Sequence, residues 1–78
     1  MSPKLPSVSS RQVLSVLQKA GFYIHYQEGS HIHLKSNHHP SLRVVVPAKR
    51  KDLKKKTLKS IIDQAGLTAS EFIELLKK

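Results

Sequence analysis

Apolar residues first recur at helical spacing. Val13, Leu14, Val16, Leu17 and Ala20 fall on one stripe of a 3.6-residue period, and the pattern predicts a helix over residues 8–21. Ser9 and Gln12 have the spacing of a capping box, and Val8 and Val13 that of the accompanying hydrophobic staple. Gly21 follows the last periodic residue, where a left-handed cap favours glycine. The period then becomes alternating. Residues 22–27 predict a strand with Phe22, Ile24 and Tyr26 on the apolar face and Tyr23, His25 and Gln27 on the other. On this register Tyr26 is expected in the core. Glu28-Gly29-Ser30 is a short connection with glycine where φ > 0 is expected. A second strand follows over residues 31–36, with His31 and His33 on one face and Ile32 and Leu34 on the other. After the polar loop Asn37-His38-His39-Pro40, residues 41–46 predict a third strand. It turns Leu42, Val44 and Val46 inward and Arg43 and Val45 outward, and Pro47 closes it.

Beyond a basic segment at residues 48–56, Leu58, Ile61, Ile62 and Ala65 form the buried stripe of a second helix that ends near Ala65, with Gly66 as its cap. Asp52 and Thr57 are the two candidate caps for its start. Thr68 and Glu71 form another capping box and open a short third helix over residues 69–77, which packs back through Phe72, Leu75 and Leu76. The order is α-β-β-β-α with an added C-terminal helix: an α+β domain with a three-stranded antiparallel sheet. Helices must cover the apolar face, because nothing else in the chain can, and the other face stays open. The 78 residues read as a single domain with a loose N-terminal tail over residues 1–7.

Charge adds a partner to this picture. Fourteen Lys and Arg against five Asp and Glu give a net charge of +9, more than solubility asks of so small a surface. RNA or DNA is the usual polyanion for such an excess. An acidic protein face is compatible with it. An anionic membrane is not favoured, since no basic amphipathic helix carries aromatic anchors and no apolar run approaches ~18 residues. There is no cysteine, hence no disulfide framework and no zinc–thiolate site. With no signal peptide at the start, a cytoplasmic protein is expected.

Two clusters carry candidate chemistry. Lys54, Lys55, Lys56 and Lys59 crowd the start of the second helix. Cations there oppose the helix dipole, so the placement suits a bound anion that amides, dipole and ammonium groups would all face. Lys35 and Arg43, on the polar face of the sheet, extend this basic surface. His31 and His33 share that face, and imidazole titrates near neutrality. Beside a phosphate-binding patch it suits RNA cleavage, in which a base takes the 2′-OH proton and an acid protonates the leaving 5′-oxygen, with no cofactor and no metal required. Exposed strand histidines without a role fit the same spacing. A zinc or copper site combining His31 and His33 with His38 and His39 is a further alternative, but no carboxylate or thiolate is placed to complete it. Tyr23, on the polar face, is a candidate for stacking on a base.

The segments Ala20-Gly21-Phe22, Gly29-Ser30-His31, Val45-Val46-Pro47 and Leu53 through Ile62, followed by Asp63-Gln64-Ala65-Gly66-Leu67 and Thr68-Ala69-Ser70-Glu71-Phe72, together resemble the HicA toxins, the YcfA-like mRNA interferases. The resemblance spans the chain after Ser9. It implies a double-stranded-RNA-binding-domain-like fold and a ribosome-independent endoribonuclease that cuts mRNA. It also implies a HicB-like antitoxin that binds the toxin and covers the site. By the same resemblance the catalytic residue is His31, presented by the Gly29-Ser30 turn. Many relatives carry a second histidine directly after the first. Here Ile32 intervenes, which leaves His33 as the candidate assistant. Lys56 stands where relatives often have glycine. A non-catalytic RNA-binding module of the same fold is the rival reading.

Overall fold

The computed structural model describes residues 4–78. Its elements are α1 (Ser10–Lys19), β1 (Phe22–Glu28), β2 (His31–Ser36), β3 (Arg43–Pro47), α2 (Lys55–Gln64) and α3 (Ala69–Lys77). The expected α-β-β-β-α order with an added C-terminal helix is therefore the observed one. The tail expected over residues 1–7 begins outside the described residues, at 1–3; within the rest of it Leu5 packs partly against the core, and Val8 just beyond is fully buried.

Local signals set the helix boundaries where side chains close the ends. Ser9 accepts from the Gln12 amide while the Gln12 side chain accepts from the Ser9 amide, and Thr68 and Glu71 do the same for α3. Gly21 adopts φ +94°, a backbone conformation that favours glycine, and the nearest neighbour to a Cβ there is the exposed His38 ring at 2.6 Å. The second helix differs from expectation. Neither Asp52 nor Thr57 caps it: Lys54 occupies the cap position with no side-chain hydrogen bond, and Thr57 lies inside the first turns.

The sheet order is β1-β2-β3, antiparallel throughout. Leu34, Val44, Ile32 and Val46 face the helices and form the core with Val13, Val16, Leu17, Leu58, Ile61 and Phe72. Burying this continuous apolar face is the main driving force for folding. On β3, the outer edge is occupied by α2: the Val45 amide donates to the Gln64 side-chain oxygen at 3.1 Å, which satisfies one of the groups that an edge strand leaves free. The Lys19 ammonium ties the end of α1 to α3 by donating to the Leu75 carbonyl at 3.3 Å.

One expectation about β1 is overturned. Its register against β2 runs Ile24↔Leu34 and then Tyr26↔His33, so His25 is an extra residue in a β-bulge. A one-residue insertion flips every later side chain to the opposite face. Tyr26 is therefore not in the core. It is 47% exposed on the open face, and its ring stacks on that of His33 with centroids 4.3 Å apart and planes 8° from parallel. Gln27 takes the place opposite Ile32 instead, and remains exposed.

Candidate functional site

The β1–β2 hairpin turns on two residues. Gly29 has φ +58° and Ser30 is not in the left-handed region, the pattern of a turn whose first central position selects glycine. No atom lies within 4 Å of where a Gly29 Cβ would stand, so conformation alone requires the glycine. The turn places Glu28 directly opposite His31, and on the other side His31 pairs with Pro47 of β3. His31 is exposed and ends the open face of the sheet; His33, two residues on, is half-buried beneath Tyr26.

The chain after β3 is tied to this end. The Ala48 amide donates to the Ser30 carbonyl at 2.7 Å. Lys49 takes a left-handed φ of +58° as the chain turns away. Ser10, buried at the start of α1, then holds the basic loop from both sides: its hydroxyl donates to the Pro47 carbonyl and accepts from the Arg50 amide at 3.0 Å. The Leu53 amide reaches the Val8 carbonyl at 2.8 Å. These four bonds deliver the start of α2 to the side of His31.

The result is a groove of about 440 Å³ lined by His31, Val45 and Pro47 on one wall and by Lys54, Lys56, Thr57, Ser60 and Ile61 on the other. An imidazole, two ammonium groups, two hydroxyls and the uncapped first turn of a helix thus face one space. Unpaired first-turn amides and the dipole both favour an anion there. The basic residues singled out in the sequence are divided by the fold. Lys54 and Lys56 share the groove with His31. Lys55 and Lys59 line a separate one with Leu5, Asp63 and Leu67 on the far side of α2. Lys35 and Arg43 pair with each other on the open face, two rows along the sheet from His31.

The remaining histidines are dispersed. His38 and His39 sit in the loop at the opposite end of β2, where the Ser36 hydroxyl accepts from both of their amides. Among the described residues no three His, Cys, Asp or Glu side chains come together as a metal site, and no helix is long and apolar enough to cross a membrane. Three features of the site went unrecognised in the sequence. Glu28 opposite His31 follows from the two-residue turn and was legible there. Tyr26 beside His33 was not, because only strand pairing reveals the bulge. Arg11, Lys49, Arg50 and Lys51 line a groove on the α1 side of the same loop, which the basic run signalled only as charge.

A family model described as HicA toxin of bacterial toxin–antitoxin matches residues 10–67. The match runs from the first residue of α1 through the hairpin, the sheet and α2, and ends just before the α3 cap. No curated protein matches the chain.

Proposed function

Because the chain belongs to the HicA toxin family of bacterial toxin–antitoxin systems, we propose that it is an mRNA interferase, an RNA endonuclease acting without the ribosome, with His31 as the general base or acid. The observation that carries this reading is the shared groove: an exposed imidazole at a rigid turn faces Lys54, Lys56 and the open start of α2. A phosphodiester seated there has its non-bridging oxygens toward the ammonium groups and amides, which stabilise the charge that grows as the 2′-oxygen attacks phosphorus. The 2′-oxygen bond to phosphorus forms, the bond to the 5′-oxygen breaks, and the products are a 2′,3′-cyclic phosphate and a 5′-hydroxyl. His31 carries one of the two protons this exchange requires. His33 is the candidate for assisting it, from the same face. Ser30 supports the turn and is within the same end of the sheet for a bond to a phosphate oxygen. Imidazole chemistry of this kind needs no metal and no cofactor. Lys35 and Arg43 on the open face, and Lys55 and Lys59 on the outer side of α2, extend the RNA-binding surface. A HicB-like antitoxin is the expected protein partner, covering the groove, and the cytoplasm is where both substrate and partner are met.

The test is His31→Ala in the purified protein. A loss of roughly 10²–10⁴ in cleavage rate is expected for removal of a proton-transfer group, with the melting curve unchanged because the side chain is exposed. Cleavage at the wild-type rate removes His31 from the mechanism. A wild-type protein that binds RNA and never cuts it makes this a binding module. A 3′-hydroxyl product end contradicts attack by the 2′-oxygen.

A further inference from the structure

The bulge at His25 does more than interrupt a strand. It turns a tyrosine that the alternation assigns to the core out onto the sheet face that carries His31. The Tyr26 ring lies flat on His33, with His25 edge-on at 5.3 Å, and still leaves 47% of the residue exposed. Bulges of this kind re-aim side chains beside functional sites. Along the open face the rows then read in a fixed order: His31 at the end, the Tyr26–His33 stack next, and the cations Lys35 and Arg43 after it. Alternate residues of one strand stand roughly 7 Å apart, so the stack lies within a nucleotide's reach of His31. The row at His31 also holds Glu28, so at that end it is the groove with Lys54 and Lys56 that attracts phosphate. An exposed, half-supported aromatic between that groove and the Lys35–Arg43 row fits a flat, uncharged π-system attached to a polyanion.

We infer that the Tyr26–His33 stack is a nucleobase platform: a base of single-stranded RNA extends the stack on the exposed part of Tyr26, while the backbone runs between the His31 groove and the Lys35–Arg43 row. This rests on the RNA reading given above, and it adds a subsite that holds the base next to the scissile phosphate. Stacking of this type tolerates any base, because every base presents a π-face. It requires single-stranded RNA at that position, since a paired base keeps its faces inside the duplex.

The experiment measures binding apart from cleavage. In the non-cleaving His31→Ala background, end-labelled oligoadenylate and a base-free ribose-phosphate chain of the same length and charge are titrated by fluorescence anisotropy. The oligoadenylate is expected to bind about ten-fold more tightly, within the range for base–aromatic stacking. Adding Tyr26→Leu abolishes that advantage and leaves the base-free chain unaffected; Tyr26→Phe, which keeps the ring, preserves it. Equal weakening of both ligands by Tyr26→Leu, or no weakening of either, overturns the platform and leaves Tyr26 a support for His33. Circular dichroism establishes that the half-exposed substitution leaves the fold intact. A base-dependent advantage in a protein that never cuts RNA sinks the catalytic reading alone. Cleavage that depends on His31 with no base-dependent advantage sinks the platform alone.

Discussion

Removing the Ser10 hydroxyl tests how the site is assembled. Ser10 is 4% exposed, and its side chain is shared by the Pro47 carbonyl and the Arg50 amide, 37 and 40 residues away. In Ser10→Ala both groups lose their partner in a space closed by α1. A buried polar group left without a partner costs about 1–3 kcal/mol; these bonds are only part-buried, so the lower half of that range applies to each. Alanine returns up to ~0.5 kcal/mol as the better helix former at the first position of α1. The net expectation is a loss of about 2 kcal/mol, which lowers the melting temperature of a domain this size by roughly 8–16 °C. Thermal unfolding followed by circular dichroism reads this directly, with exposed Ser15→Ala as the control, expected within ~0.5 kcal/mol of wild type. Hydrogen exchange at the Arg50 amide should quicken more than exchange in the centre of α1. A melting temperature within ~3 °C of wild type refutes the clamp, and the basic loop is then held by its backbone bonds alone.

Two further substitutions probe the turn and the helix start. Gly29→Ala forces a side chain into φ +58° with nothing to clash against, so it should destabilise by about 1–2 kcal/mol through the backbone alone, read as a drop in melting temperature; an unchanged melt means the turn relaxes to another form. Lys54→Ser supplies the cap that α2 lacks and should raise stability by about 0.5–2 kcal/mol. The same change should weaken RNA binding and reduce the slope of log affinity against log salt by about one. A gain in both stability and affinity contradicts a phosphate role for Lys54.

The last of these shows where sequence and fold part company. Caps made by a side chain three residues from its target are local chemistry, and Ser9–Gln12 and Thr68–Glu71 formed where their spacing put them. The glycines at 21, 29 and 66 all take positive φ for the same reason: the chain must turn there, and only short-range sterics decide which residue tolerates it. Lys54 was invisible as a cap position because it caps with nothing. That helix starts where the loop bonds of Val8 and Ser10 release the chain, and those partners lie more than 35 residues away.

Alternation and helical period were thus sufficient to set element type, order, the apolar face and most of the core, since each reflects a repeat a few residues long. They also placed His31 at an exposed turn, with His33 on its face. The tertiary structure alone decided which charges serve that turn. It brought Lys54 and Lys56 into the His31 groove and turned Lys55 and Lys59 away, because helix rotation is fixed by Leu58, Ile61 and Ile62 in the core rather than by the lysines themselves. It alone decided the fate of Tyr26 as well. A strand's own sequence reports its period, whereas a bulge exists only relative to a neighbour, and the pairing of Tyr26 with His33 is a property of two strands at once.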